Sequence, residues 1–202
     1  MFRCDRSEST SQLSRGGGVL IAVKSQYSCS MLNLNNCDRL EQVVVRIGLP
    51  NRTLFIAGIY LRPLSSPELY TLHVEALRYV TEQCTTTDIV IALGDYNLPH
   101  LNWSFDDDLS GFLPTNTSTE QELALVDNML ANSLVQVNPF ENANRRLLDL
   151  AFVTEPEAVE PLTPPVPLVG VDLHHMPFVL NLDIHHNTKN GQLTEPEFNF
   201  KR

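Results

Sequence analysis

The stretch 40–61, "LEQVVVRIGLPNRTLFIAGIYL", leaves this chain little freedom. Two apolar runs rich in Val, Ile and Leu, 40–49 and 54–61, are split by Pro50, Asn51 and Arg52. Short β-branched runs of that kind read as strands, and a Pro-Asn break between them reads as the turn of an antiparallel hairpin. A two-stranded hairpin is marginal by itself in water, so these strands must belong to a larger sheet with a second layer against it.

The flanking sequence supplies both. Residues 65–84 carry Leu69, Leu72, Val74, Leu77 and Val80 near helical spacing, with Ser66 as a capping residue and Pro67 at the first helical position. An apolar run at 88–93 reads as a strand, followed by a loop from 94 to about 117. A second helix is expected over 118–133, opened by Thr119 with Glu122 three residues on, the spacing of a capping box. Strands follow at 134–138 and 145–154, then a proline-rich loop at 156–168, then a strand at 177–184. Ahead of the hairpin, 1–15 reads as a loose polar lead-in and "RGGGVLIAV" as a glycine turn delivering a strand over 15–23. The resulting order, β-β-β-α-β-α-β-β-β, predicts an α+β fold with a mixed or mostly antiparallel sheet system and helices packed outside it. With 202 residues, the chain is expected to form one domain over 1–184, followed by a polar tail, 185–202.

Charge and composition narrow the classes of function. A formal net charge of −10 opposes general attraction to a phosphate backbone, although acidic groups that gather a divalent cation reverse the field locally. No run approaches the ~18 apolar residues of a membrane span, and the N-terminus "MFRCDRSEST" is polar where a secretory signal would be apolar. An intracellular chain, nuclear or cytoplasmic and without membrane contact, is the expectation. Cys4, Cys29, Cys37 and Cys84 form no CxxC pair; Cys29 and Cys37 are close enough in sequence to meet across a hairpin, which an untargeted chain disfavours.

Chemistry-bearing residues gather at the predicted strand ends. Asp95 and Asn97 follow the strand at 88–93 in "LGDYNLPHLNW", Asp149 lies in "LLDLAFV", Asp172, His174 and His175 precede the last strand, and Tyr60 closes the run 54–61. Each also has an ordinary explanation. Asp and Asn form turns, a His-His pair sits on surfaces, and a tyrosine fills cores. Asp149 resists dismissal, since a carboxylate among leucines needs a partner and a histidine is the natural one. "RGGGV" lacks the spacing of a phosphate-cradling loop, and no Gly-x-Ser-x-Gly or catalytic cysteine context occurs.

Taken in order, "RGGGVLIAV", "GIYLRP", "LGDYNLPHLNW", "RRLLDLAFVT" and "VDLHHMPFVL" resemble the endonuclease/exonuclease/phosphatase superfamily, and more narrowly the endonuclease domain of jockey-like non-LTR retrotransposons. The resemblance runs from about 2 to 184. It implies a two-sheet β-sandwich flanked by helices, a four-layer αββα arrangement. By the same resemblance Asp95 orients or deprotonates the attacking water, Asn97 and Tyr60 contact the phosphate, His175 stabilises the charged transition state, and Asp149 orients His175. It further implies Mg²⁺-dependent nicking of DNA and a reverse transcriptase domain as neighbour in a parent polyprotein. Two departures are visible. His174 stands where the family has an aspartate before its histidine, leaving Asp172 as the nearest candidate metal ligand. The family's opening strands, the second ending in its metal-binding glutamate, have no counterpart here, so the site and the N-terminal part of the sandwich are expected to be incomplete. A non-catalytic remnant of the same fold, or a phosphatase for small substrates, are the alternatives.

Overall fold

The computed structural model describes residues 1–7, 10, 17–34, 38–167, 170 and 172–185. The predicted hairpin is its spine. β4 (Glu41–Gly48) and β5 (Thr53–Tyr60) pair antiparallel over all eight positions, from Glu41 opposite Tyr60 to Gly48 opposite Thr53. A short β3 (Cys29–Met31) adds to the outer edge of β4. On the other side the chain leaves β5, crosses through α1 (Pro67–Thr81) and returns as β6 (Ile89–Asp95), the one parallel neighbour of the sheet. β10 (Asp149–Val153), β9 (Val135–Gln136), β8 (Gly111–Pro114) and β7 (Trp103–Asp106) complete eight strands in the order β3-β4-β5-β6-β10-β9-β8-β7.

The sheet buries both faces, which explains why its central strands read as nearly continuous apolar runs. One face sends Val44, Phe55, Ala57 and Phe152 against α1 and against α2 (Glu120–Ala131), whose Leu77, Val80, Leu125 and Met129 are almost fully buried. The opposite face sends Val43, Val45, Ile91 and Ala151 against two small antiparallel sheets. One is β1 (Phe2–Cys4) with β2 (Val19–Ile21), the other β11 (Val159–Leu162) with β12 (Val179–Leu182). The architecture is therefore α+β: helices, an eight-stranded sheet and two small sheets, stacked in that order. Among the described residues no helix is long and apolar enough to cross a membrane.

Several expectations need correction. The stretch 94–117, read as loop, contains the β7–β8 hairpin. The turn-favouring residues Asp106, Asp107, Asp108 and Gly111, at and between the strand ends, mask two four-residue strands, whose signature is the cross-strand contact of Phe105 with Phe112, ring centroids 5.3 Å apart. The proline-rich loop at 156–168 contains β11, in which Pro161 is tolerated because β11 pairs on one side alone, with β12. β1 lies in the supposed lead-in and β3 in a stretch given no structure; both are three residues long, too short for any periodicity to register. Ser66 is the N-cap of α1, but its side chain makes no capping bond. Cys4, Cys29 and Cys84 are free thiols. Cys37, Arg15, Gly16 and the tail from 186 onward lie outside the described residues.

The capping box of α2 forms as the sequence predicts. Thr119 Oγ1 accepts from the Glu122 N–H at 3.2 Å, and Glu122 Oε2 accepts from the backbone N–H groups of Thr119 (3.0 Å) and Ser118 (2.7 Å). These donors hold the half-buried Glu122 carboxyl below its usual range against the opposing effect of burial. Thr119→Ala is expected to lower stability by ~0.5–2 kcal/mol in urea unfolding, with the denaturant slope unchanged.

Candidate phosphodiester site

Register alone lines up the site. Glu41 on β4 lies opposite Tyr60 on β5, Tyr60 opposite Asp95 on β6, and Asp95 opposite Asp149 on β10. Directly opposed residues project from the same side of a sheet, and two positions inward the row becomes Val43, Gly58, Leu93 and Ala151. That is the face covered by the small sheets. Gly58 is bare because β2 presses on it: a Cβ there would meet Val19 Cγ1 at 2.7 Å.

"LGDYN" is built by close approach. A Cβ on Gly94 would lie 1.8 Å from the carbonyl oxygen of Ile59, so no other residue fits between β5 and β10 at that point. β6 then carries on through Asp95, whose carbonyl accepts from the Leu61 N–H at 2.9 Å, so the candidate acid belongs to the strand and not to a loop after it. Asn97 turns the chain with φ of +49°, a conformation Asn tolerates. Its backbone N–H donates to Asp95 Oδ1 at 3.1 Å, and its Nδ2 donates to Asp95 Oδ2 at 2.6 Å and to the Leu61 carbonyl at 2.8 Å. Asp95 and Asn97 thus form a turn, in which the Asn97 side-chain amide is divided between the Asp95 carboxylate and the Leu61 carbonyl.

Asp149 opens β10, at the sheet end and not in its apolar middle. Its backbone carbonyl accepts from Nδ2 of the buried Asn138 at 2.7 Å. His175 arrives from the segment before β12. Its Nδ1 sits 3.0 Å from Asp149 Oδ2 and 3.3 Å from Oδ1, and its Nε2 is 3.8 Å from Asp95 Oδ2. That segment is tied down by Asn142, whose Nδ2 donates to the His174 carbonyl at 3.2 Å, and by the Ala143 N–H donating to the Leu173 carbonyl at 3.0 Å. Asp172 stands outside the Asp95–Asp149–His175 trio and shapes the turn instead, its Oδ1 accepting from the His174 N–H at 2.9 Å.

Burial and mutual repulsion leave this site with more negative charge than it can comfortably hold. Burial, then the neighbouring Asp149, pushes Asp95 up to about 6, against the opposing pull of His175 and Asn97. Burial likewise raises Asp149, opposed by its bond to His175. Burial works against charging His175, but Asp149, Asp95 and Asp172 outweigh it and raise its pKa, so the imidazolium is favoured. Asp95, Asp149 and His175 each offer one ligand atom within 4.8 Å of the others, a donor set that fits a cation. Two of the three donors are carboxylate oxygens, which suits a hard cation that keeps most of its water.

Sequence reasoning missed the far end of the row. Glu41 is a buried carboxylate that accepts from Arg6 Nε at 2.9 Å and from the Gly18 N–H, and the Arg6 guanidinium lies over the Tyr60 ring, 5.7 Å from its centroid. With these partners Glu41 is already compensated and Tyr60 is clamped from above. The partners come from 23 and 35 positions upstream, a separation at which no local pattern gives a signal. The site is reached from solvent on the His175 side, where the side chain is 43% exposed.

No family model matches the sequence, and no curated protein matches it. Among solved structures the chain is similar to the endonuclease domain of TRAS1, a telomere-specific non-LTR retrotransposon, at 16% identity over 67% of this chain and 58% of that one, with a TM-score of 0.46. It is also similar to SmcL, at 11% identity over 77% and 61% with a TM-score of 0.37, and to beta toxin 275-280 from Staphylococcus aureus, at 11% over 57% and 43% with a TM-score of 0.31. The chain spans less than two thirds of each of these proteins. The overlaps are partial, and the site is read from this chain's own side chains.

The raised carboxyls have a thermodynamic consequence. A folded-state pKa above the unfolded value of ~3.9 means that the folded protein binds protons more tightly, so the contribution of Asp95 to stability is present below pH ~4 and is lost as pH rises through about 6. In metal-free buffer, Asp95→Asn is expected to flatten the fall in stability between pH 4 and about 6.5, measured by urea unfolding at stepped pH. An unchanged slope would show that Asp95 titrates normally.

Proposed function

We propose that this chain carries the phosphodiester-hydrolysing centre of a DNA endonuclease, dependent on Mg²⁺ and belonging to a retrotransposon polyprotein. The observation that carries the reading is the convergence of Asp95, Asp149 and His175 from three separate segments onto one open sheet end, with Tyr60 on the same row and Asn97 against Asp95.

The protein's own groups divide the work. Asp149 accepts from His175 Nδ1, which fixes the ring and favours its protonated form, so that Nε2–H is turned toward the gap beside Asp95 and is available to a phosphate oxygen. Asp95, once ionised, accepts a proton from or aligns a water for in-line attack, and Asn97 keeps its carboxylate in one orientation. Tyr60, braced by Arg6, offers its phenol to the phosphate from the neighbouring strand. A divalent cation held by Asp95 and Asp149 would neutralise charge developing on the phosphate.

The retrotransposon-type motifs "GDYNLPHLNW" and "DLHHMPFVLNL" favour DNA over small phosphoesters. The net charge of −10 implies weak and salt-sensitive association, so strand recognition would depend on the cation and on the rest of the polyprotein, including its reverse transcriptase.

Relaxation of supercoiled plasmid with Mg²⁺ tests the proposal. The wild-type chain is expected to nick, chelation to abolish nicking, and Asp95→Ala and His175→Ala each to slow it at least ~100-fold. Equal background in all three proteins would sink the catalytic reading and favour a non-catalytic role for the fold.

A further inference from the structure

On the helix side of the sheet, behind the site, lies a hydrogen-bonded chain that the chemistry above does not use. Tyr96, between Asp95 and Asn97, points into the core and is fully buried, as are His73 and, very nearly, Tyr70 of α1. His73 Nε2 is 2.9 Å from the Tyr96 hydroxyl, and His73 Nδ1 is 2.5 Å from Oε1 of Gln42 on β4. Tyr70 Oη donates to the backbone carbonyl of Tyr96 at 2.6 Å. The Tyr96 ring is fixed further by edge-on contacts with His73, centroids 5.4 Å apart, and with Phe152, at 5.5 Å.

These bonds are not what an apolar core requires. A leucine or phenylalanine at 73 and a phenylalanine at 96 would bury as much apolar surface without desolvating two polar side chains, and polar groups so deep are costly unless their geometry is kept. The His73 ring thus bridges the Gln42 amide and the Tyr96 hydroxyl through its two nitrogens. Burial holds His73 down to about 3, so the ring is a neutral connector at any working pH. The residue held by this connector is flanked by the two that shape the site, and the turn it stiffens contains Asn97 at φ of +49°.

We propose that His73 and Tyr70 are positioning residues: through the Tyr96 hydroxyl and carbonyl they fix the Asp95–Tyr96–Asn97 turn, and with it the hydrogen bonds by which Asn97 orients the Asp95 carboxylate. The α1 helix thereby sets site geometry from the opposite face of the sheet. The inference rests on the proposed function for its catalytic consequence, but its structural half stands without it.

The test compares Tyr96→Phe and Tyr70→Phe, each lacking one oxygen of a tether, with Val80→Ala, a truncation of the buried face of α1 that touches neither tether. Two readouts are taken on ¹⁵N-labelled protein below its unfolding transition: the side-chain amide resonances and exchange of Asn97, and the kcat and KM of nicking. In both tyrosine variants the Asn97 amide signals are expected to move and exchange faster, and kcat to fall ~10-fold with KM within ~2-fold, since small misplacement of reacting groups costs turnover more than binding. Val80→Ala is expected to lower the melting temperature while leaving Asn97 and kcat in place. Should one tyrosine variant fail to fold, the other carries the test. Unmoved Asn97 signals in the tyrosine variants, or equal disturbance by Val80→Ala, would overturn the proposal. If the wild type does not nick at all, the function fails, while the Asn97 signals still decide the positioning.

Discussion

Cross-strand register over β4, β5, β6 and β10 is the constraint on which the rest of the site depends. Glu41, Tyr60, Asp95 and Asp149 come from positions spread over more than half the chain, and they meet because four strands end in step. Register of this kind is enforced from the middle of the sheet, where Val43, Val45, Ile91, Ala151 and Val153 must face the small sheets while Val44, Ala57, Ala92 and Phe152 must face the helices. A slip of one residue on β6 would turn Asp95 into the helix-side core and carry Tyr96 out to the site. The apolar pattern that builds the core thus also decides which polar residues share a surface, with no polar contact needed for that selection.

What the core cannot supply is the angle of a carboxylate. Hydrophobic burial is not directional, whereas the spacing between Asp95, Asp149 and His175 is a matter of tenths of an ångström. Directionality comes from the buried amides: Asn97 on Asp95, Asn138 on the Asp149 carbonyl, Asn142 on the segment that delivers His175. Each side chain makes two or more hydrogen bonds, and each sits where the backbone leaves regular structure. The electrostatic state follows from that enforced closeness. Two carboxyls held together out of water are driven toward protonation, and a histidine held between them is driven toward charge. The arrangement relaxes when a cation or a proton enters.

Much of this was legible from the sequence, for reasons that separate cleanly. The β4–β5 hairpin, α1, β6 and α2 are specified locally, by β-branched runs, a proline at a first helical turn, and the Thr119–Glu122 box, so their bounds were read to within two or three residues. Tyr60, Asp95, Asn97 and His175 stand out as polar residues near the ends of apolar runs, and Asp149 as a carboxylate inside one. The strands that escaped, β1, β3, β7, β8 and β11, have three or four residues, and all but the β7–β8 hairpin owe their existence to neighbours farther along the chain. Glu41 and His73 escaped for the same reason. Each is a polar residue inside a convincing strand or helix, and nothing within a few positions of either names Arg6 or Tyr96 as its partner.

β4 joins these two hidden elements. Consecutive strand residues face opposite sides, so Glu41 points to the small-sheet face and Gln42 to the helix face. From Glu41 the connections run through Arg6 to Tyr60, the β5 residue opposite Asp95, and from Gln42 through His73 to Tyr96, the residue after Asp95. β4 is two strands removed from β6, yet one dipeptide of it reaches the site by both faces of the sheet. Polar ties therefore reach the site from β4 on both faces of the sheet, through Arg6 on one and through His73 on the other.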